Sequence, residues 1–264
     1  MPKVCIDAGH YGSYNPSPAV AGYVEAQAMW RLQEYLCREL DSLGVETVKT
    51  RDKQSEDLPL TERGKKARGC DLLVSLHSNA AGDGVREDID YPTAYVSISG
   101  KADEIGLRLA RCVEQIMGTA QSARIEHREG SRGDYYGVLR GAAEANVPGV
   151  ILEHSFHTNT RAASWLMDEG NLARLAAAEG QIIAQYLGVP QRLRRYKYLT
   201  DIPENDGFRA VIADLMESGI LKGDGGSPPM LDLSHDMLRL LVILHRAGLL
   251  RLNKQNQNNK ENRN

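Results

Sequence analysis

The sequence predicts an α/β fold, in which a largely parallel β-sheet is layered with helices. Short apolar segments alternate along the chain with longer segments in which apolar residues recur every three or four positions. This alternation is typical of strands that are connected by helices. The first apolar segment, residues 4–8, has the composition of a strand that is covered on both faces, as the strands of parallel sheets are.

The composition argues against several classes of protein. The chain has 264 residues, of which 42% are hydrophobic and 25% are charged, and these values are ordinary for a globular protein. The net charge of −3 gives no reason to expect nucleic-acid binding, and no apolar run approaches the roughly 20 residues of a membrane span. Because the first strand begins close to the N-terminus, we expect synthesis in the cytoplasm without a signal peptide.

The first half of the main domain contains one strongly periodic helix. Apolar residues recur at spacings of three and four over residues 25–43, and Gly44 follows, which predicts a helix that ends at a glycine. Apolar runs between polar segments predict the other elements of this half. They are strands over residues 45–49 and 71–76 and a short helix over residues 61–68.

The second half of the main domain continues the alternation of strands and helices. The same patterns predict a strand over residues 94–98, an amphipathic helix over 102–117, a polar loop or edge segment over 124–132, a short strand over 136–140, a strand over 148–152, and helices over 161–167 and 171–187. With them the domain spans residues 1–188, which is ample for its own core.

The remaining residues predict a small helical C-terminal domain. Residues 189–199 form the predicted linker, residues 200–252 contain two helices near 208–218 and 234–247, and residues 253–264 lack apolar periodicity and are expected to be disordered. The second helix is apolar nearly all round. We therefore expect the first helix, the main domain or another subunit to cover it.

Two histidines follow predicted strands, and a glutamate begins the first helix. His10 comes directly after the first strand and His77 after the third; the carboxyl ends of strands are where open α/β sheets bind ligands. Gly9 is expected to turn the backbone so that His10 is presented there. Glu25 continues the apolar stripe of its helix backwards by one turn. It is either a partly exposed residue favoured by the helix dipole or a carboxylate aimed at a cation beside His10.

Together these side chains match the ligands of a catalytic zinc site. Two imidazoles, from His10 and His77, and one carboxylate, from Glu25, leave the fourth position of the metal open for water. Glu153 follows a separate predicted strand and could stand over that water. In this arrangement zinc lowers the pKa of the water and polarises the carbonyl under attack, while Glu153 takes up the proton and passes it to the leaving amine.

Six short stretches make the prediction more specific. They are residues 6–10, Glu25, residues 50–51 with Leu60 and Arg63, residues 71–79, residues 138–140 and residues 152–159. In this order they resemble the zinc-dependent N-acetylmuramoyl-L-alanine amidases, in the type-3 branch that includes bacterial wall hydrolases and phage endolysins. The resemblance covers residues 3–187.

The resemblance implies a mixed sheet of about six strands, one Zn2+ ion per chain held by His10, Glu25 and His77, and Glu153 as the catalytic glutamate. The reaction would cleave the amide between N-acetylmuramic acid and L-alanine of the stem peptide in bacterial cell-wall peptidoglycan. The sequence departs from many members in having Tyr11 in place of a second glycine, and His-Ser in place of Leu-Gly at residues 154–155.

Three further histidines, His127, His154 and His157, are expected to have structural or supporting roles, because the ligand count is already filled. A zinc peptidase that cleaves stem-peptide bonds is an alternative within the enzymes. A cell-wall-binding protein without turnover is an alternative outside them.

The C-terminal module resembles a single, degenerate S-layer-homology repeat. Residues 201–248 carry the resembling features but lack the Thr-Arg-Ala-Glu that usually precedes the second helix. We expect residues 200–252 to bind wall polymers or to pair with a second chain. The resemblance to endolysins also predicts that the protein acts on the cell wall after its release from the cytoplasm.

Overall fold

The computed structural model describes residues 1–189, 195–202 and 207–250. The chain divides into two compact units, Met1–Gln191 and Arg192–Asn264. The predicted disordered tail and residues 190–194 of the predicted linker lie outside the described residues. No helix in the described ranges combines the length and the hydropathy that a membrane span requires.

The first unit is built on a mixed six-stranded sheet, which confirms the predicted fold class. Its strand order is β2-β1-β3-β8-β4-β5, and every neighbouring pair is parallel except β4 with β8, which is antiparallel. The six strands are β1 (Lys3–Ala8), β2 (Glu46–Lys49), β3 (Leu72–Asn79), β4 (Thr93–Val96), β5 (Arg124–His127) and β8 (Gly149–Phe156). A small antiparallel hairpin, β6 (Glu129–Gly130) and β7 (Gly133–Asp134), follows β5.

Helices cover both faces of this sheet. Alternate residues of a strand belong to two separate hydrophobic cores, one on each face. Val4 and Ile6 of β1 belong to the larger core, whereas Cys5 between them belongs to the smaller core on the other face, because side chains alternate across a strand. Residues of α1, α3, α5 and α6 complete the larger core, and α4 contributes to the smaller one. The six helices are α1 (Glu25–Leu43), α2 (Leu60–Lys65), α3 (Asp103–Met117), α4 (Gly137–Glu144), α5 (Thr160–Met167) and α6 (Glu169–Tyr186).

The predicted strand over residues 136–140 is wrong, because this segment begins helix α4. Helix α4 lies against α2 at a very close crossing. A Cβ atom on Gly64 of α2 would come within 2.1 Å of the Val138 carbonyl oxygen, and one on Gly141 of α4 would come within 2.1 Å of the Thr61 carbonyl oxygen. Only glycines allow the two backbones to approach so closely, and the helical conformation follows from this long-range contact.

Two strands near the site extend beyond their predicted boundaries. Strand β3 runs through His77, and strand β8 runs through Glu153, so both side chains extend from strands and not from the loops after them. The polar segment over residues 124–132, predicted as a loop or edge segment, forms the edge strand β5 and the start of the hairpin. The first helix has the predicted bounds.

The second unit contains two helices and a short strand pair. Its elements are β9 (Arg195–Tyr196), a 3-10 turn (Leu199–Asp201), α7 (Phe208–Glu217), β10 (Leu233–Ser234) and α8 (His235–Arg246). Helix α8 buries Leu238 and Val242 but leaves a stripe exposed, formed by Met237, Leu240 and Ile243. Leu238 packs with Ile212 and Leu215 of α7 in one small core, so the first helix of the module covers part of α8. Cover of the exposed stripe by another chain stays a prediction.

Candidate active site

His10, Glu25 and His77 meet at the carboxyl-end edge of the sheet. Because β1 and β3 are parallel neighbours with Ala8 opposite Leu76, the residues that follow Ala8 and Leu76 emerge side by side. One donor atom from each of His10, Glu25 and His77 lies within 4.8 Å of the others. Glu25 Oε1 lies 3.0 Å from His77 Nδ1, and its Oε2 lies 3.3 Å from His10 Nε2.

The contact between β1 and β3 at this edge requires a glycine. A Cβ atom on Gly9 would lie 2.5 to 2.7 Å from three atoms of the His77 ring. The left-handed conformation of the turn falls instead on the next residue, since His10 has φ = 56°. Gly9 therefore serves a different purpose from the predicted one, because it makes room for the imidazole of His77 and does not itself adopt a left-handed conformation.

Glu25 is buried and negatively charged. Its side chain is 1% exposed, so a partly exposed surface glutamate is the wrong interpretation. Burial by itself raises the pKa of Glu25, but the hydrogen bonds to His10 and His77 outweigh burial and hold this pKa well below its usual range. The Ser78 backbone N–H and Asn15 Nδ2 also donate to the carboxylate, at 3.0 and 2.8 Å.

These residues fit a zinc ion. Two imidazole nitrogens and one carboxylate oxygen are ligands that zinc prefers at sites with one open position. The Glu25 carboxylate supplies a buried negative charge, and its burial would be costly without a cation or donors around it. The absence of a cysteine from the cluster distinguishes it from structural zinc sites rich in thiolates.

Glu153 is a second buried carboxylate beside this cluster. It lies opposite His77 in the pairing of β3 with β8, and its Oε2 atom is buried without a hydrogen-bond partner among the described residues. Burial and the nearby negative charge of Glu25 raise the pKa of Glu153 well above its usual value, while the positive charge of Arg128 opposes them. A buried carboxyl group with a raised pKa is suited both to taking up and to releasing a proton.

His10 and His77 of the cluster line one cavity of about 520 Å³ together with Glu153. This volume lies within the range of small-ligand sites. Aromatic side chains contribute to its walls together with residues of α2 and α4. Besides His10, His77 and Glu153, the cavity is lined by Asp7, Tyr11, Tyr14, Asp57, Leu60, Arg63, Tyr136, Gly137, Val138 and Ile151.

Comparison with known families identifies the family to which the first unit of the chain belongs. The family described as N-acetylmuramoyl-L-alanine amidase (Amidase_3) matches residues 4–185. The chain belongs to this amidase family. Comparison with curated proteins finds no match. All four residues predicted for the metal and the catalytic carboxylate lie within the matched stretch, whereas the second unit lies beyond it.

Solved structures of amidases share the fold. The catalytic domain of CwlV from Bacillus (Paenibacillus) polymyxa var. colistinus aligns with a TM-score of 0.60 and 23% identity over 72% of this chain and 100% of that one. An N-acetylmuramoyl-L-alanine amidase from Clostridium difficile 630 aligns with a TM-score of 0.61 and 20% identity, over 71% of this chain and 97% of that one. The amidase AmiC2 of Nostoc punctiforme aligns with a TM-score of 0.56 and 23% identity, over 71% of this chain and 97% of that one. At these identities the likeness establishes the fold alone.

In this amidase two buried arginines hold the turn that presents His10. Arg63 Nη1 donates to the carbonyl oxygens of Ala8 and His10, at 3.3 Å each, and Arg51 Nη2 donates to the Ala8 carbonyl at 2.5 Å. The Asp7 carboxylate lies 3.7 Å from Arg63 Nη1 and partly balances the two positive charges. The sequence singled out Arg51 and Arg63 only through the family resemblance, and their backbone contacts now explain their position.

The three histidines that were expected to have supporting roles lie outside the cluster. His154 is fully buried, with Nδ1 2.8 Å from the His77 carbonyl oxygen and Nε2 2.8 Å from Glu179. His157 Nδ1 lies 2.9 Å from the Ser78 carbonyl oxygen, and burial lowers the pKa of His157. His127 is exposed, and its Nε2 lies 2.9 Å from Asp103.

Asn15, Arg128 and Tyr136 belong to the site but were not singled out from the sequence. Asn15 Nδ2 contacts Glu25 and lies 3.1 Å from His10 Nε2, Tyr136 lines the cavity, and the charge of Arg128 acts on Glu153. Asn15 and Arg128 lie outside the named helices and strands, and Tyr136 directly precedes α4. Helical or strand periodicity therefore gives no signal for them.

Proposed function

We propose that this amidase is a zinc-dependent peptidoglycan hydrolase that cleaves the amide between N-acetylmuramic acid and L-alanine of the stem peptide. His10, Glu25 and His77 would hold the zinc ion. The observation that carries the proposal is the cluster of three metal-binding side chains, two of which, those of His10 and His77, line one cavity with the buried carboxyl group of Glu153. Membership of the amidase family supplies the substrate class.

The chemistry divides between the metal and the protein. When bound, zinc lowers the pKa of water and polarises the carbonyl of the scissile amide. Glu153 accepts a proton from the attacking water and delivers it to the amide nitrogen as the carbon–nitrogen bond breaks, so that L-alanine leaves with a free amino group. Arg51 and Arg63 keep the turn at His10 in place, and Asn15 orients Glu25.

A muropeptide digest combined with metal analysis tests this function. Purified protein should contain one zinc per chain and should release intact stem peptides that begin with L-alanine. EDTA should abolish the release, and added zinc should restore it. A zinc peptidase would instead release fragments cut within the stem, and a wall-binding protein without turnover would release nothing; either result would refute the proposal.

A pair of variants separates metal binding from proton transfer. Glu153→Gln removes the ionisable group but keeps the shape of the side chain, and it should retain zinc while losing hydrolysis. His127→Ala is the matched control, because His127 is exposed and pairs with Asp103 away from the cavity; this variant should keep both zinc and activity. Hydrolysis at the wild-type rate by the Glu153→Gln variant would exclude the proposed role of Glu153.

We also propose that the second unit directs the enzyme to the wall, either by binding wall polymers or by pairing two chains, and that the enzyme acts after its release from the cytoplasm, as endolysins do. The exposed stripe of Met237, Leu240 and Ile243 on α8 supports an additional contact of this kind. Deletion of everything after Leu187 should weaken sedimentation with cell walls or convert a dimer to a monomer. If neither property changes, this assignment fails.

A further inference from the structure

Arg128 is held on a platform of two tyrosine rings beside the cavity. Its guanidinium carbon lies 4.6 Å from the centre of the Tyr95 ring and 5.8 Å from that of Tyr136. The two rings are themselves 5.0 Å apart. Arg128 Nη2 donates to the Tyr95 hydroxyl at 3.1 Å, and the Arg128 carbonyl accepts from the Tyr135 N–H at 2.8 Å. Ring faces and hydrogen bonds thus fix both the side chain and its backbone.

The guanidinium is fixed but still available to a ligand. The side chain of Arg128 is 47% exposed, and its Nε and Nη1 atoms donate no hydrogen bond to any described residue. The nearest carboxylate oxygen, Glu126 Oε2, lies 3.6 Å from Nη2, which is too far for a well-formed hydrogen bond. An arginine offers a carboxylate two parallel N–H groups, either Nε with Nη2 or Nη1 with Nη2. Because Nη2 carries two hydrogens, one such pair stays open beside the hydrogen bond to Tyr95.

Arg128 stands on the side of the cavity that carries the catalytic carboxyl group. Tyr136, on which Arg128 packs, lines the cavity together with Glu153. Tyr95, the other ring under Arg128, lies opposite Ile151 in the pairing of β4 with β8, and Ile151 also lines the cavity. A substrate bound in this cavity therefore has a preorganised cation at its border.

We propose that Arg128 is a specificity-determining residue that binds a free carboxylate of the stem peptide next to L-alanine. The inference rests on the proposed function, since it assumes that the amide before L-alanine is the one cleaved. The glutamate that follows L-alanine in stem peptides is joined through its side chain, so its α-carboxyl group is free unless it is amidated. Arg128 would distinguish these two forms of the wall, because a carboxamide cannot accept a charged bidentate pair from arginine.

Product binding tests the proposal without relying on turnover. The zinc-loaded full-length protein is titrated calorimetrically with two synthetic stem tripeptides that differ only in a free or an amidated α-carboxyl group. The free carboxylate should bind roughly tenfold more tightly, the low end expected of a hydrogen bond to a charged group at a half-exposed site. The ratio of kcat/KM for the two matching muropeptides should show the same preference.

Three variants identify the residue that is responsible. Arg128→Gln should abolish the preference, and Arg128→Lys should keep part of it because the charge remains without the bidentate geometry. Arg132→Gln is the matched control: Arg132 is an exposed cation on the same hairpin, and its loss should leave the preference intact.

Equal affinity of the wild-type protein for the two tripeptides would overturn the proposal. So would an Arg128→Gln variant that lowers kcat equally for both muropeptides and keeps the binding preference, because Arg128 would then act on Glu153 and not on the peptide. Failure of the zinc-loaded wild-type protein to cleave either muropeptide at the bond before L-alanine is a separate result, which would overturn the proposed function itself.

Discussion

The substitution Gly9→Ala isolates the geometry of the candidate metal site from its chemistry. It adds one methyl group and removes no ligand. The backbone of Gly9 lies outside the left-handed region, so alanine meets no conformational penalty there. The added methyl carbon would lie 2.5 Å from His77 Cε1, 2.6 Å from Nδ1 and 2.7 Å from Nε2, so the imidazole has to move.

The size of that movement gives the expected effect. To reach an ordinary contact of 3.4 Å, the ring has to shift by about 0.9 Å, whereas ligand distances at a zinc site tolerate about 0.2 Å. Disturbing the groups that merely orient a ligand costs 10- to 100-fold in metal affinity. Displacing His77 itself should cost at least that much, or about 1.4–2.7 kcal/mol of zinc-binding free energy.

Competition with a chelator of known affinity measures the zinc Kd, and thermal unfolding in EDTA measures the stability of the metal-free fold. Gly9→Ala should weaken zinc binding at least tenfold and lower hydrolysis at limiting zinc, while the metal-free melting temperature changes little. Gly84→Ala is the matched control, since a Cβ there meets nothing within 4 Å. Wild-type zinc affinity in the Gly9→Ala protein would refute the argument that Gly9 makes room for His77.

Other perturbations test the electrostatics and packing around the site. Burial and Glu25 raise the pKa of Glu153 in the folded state. The contribution of Glu153 to the stability of the metal-free protein is therefore complete below its unfolded pKa of about 4.3, and it is lost as the pH rises through the folded pKa. Chemical denaturation in EDTA at several pH values should show that Glu153→Gln removes this loss of stability. Gly64→Ala, whose Cβ would lie 2.1 Å from a carbonyl oxygen of α4, should lower the free energy of unfolding in urea by about 1–3 kcal/mol, and a loss below 0.5 kcal/mol would contradict the close crossing. Glu179→Leu leaves His154 Nε2 buried without its hydrogen-bond partner and should lower the free energy of unfolding by about 1–3 kcal/mol. The double variant with His154→Leu should restore most of that loss.

The parts of the fold that were predictable are those with a strong local signal. Nineteen residues of regular apolar spacing end at Gly44 in helix α1, and Gly44 adopts the left-handed conformation (φ = 83°) that ends many helices. The segment over residues 136–140 carries no such signal, because five residues cannot distinguish a strand from a helix. Its conformation depends on the contact between Gly64 and Gly141, which are far apart in the sequence.

Some residues of the candidate site were likewise predictable from the sequence, and others were not. His10 and His77 could be paired from the sequence because parallel neighbouring strands bring their carboxyl ends to one edge. Glu25 joined them because a carboxylate on an apolar helix face needs a partner. The contribution of Arg128 could not be foreseen, since it depends on the hairpin that places its side chain on Tyr95 and Tyr136.

The crossing of α2 and α4 has a consequence for how substrate range can evolve in this protein. Leu60 and Arg63 of α2 and Val138 of α4 line the cavity, yet the two helices meet through main-chain atoms at Gly64 and Gly141. Neither glycine has a side chain that a mutation could shorten to let the two helices come closer at this crossing. The distance between α2 and α4 at this crossing is therefore set by their backbones and not by side chains. Adaptation to a bulkier or differently modified wall would have to come from the loops that bring Tyr11, Tyr14, Asp57 and Tyr136 to the cavity.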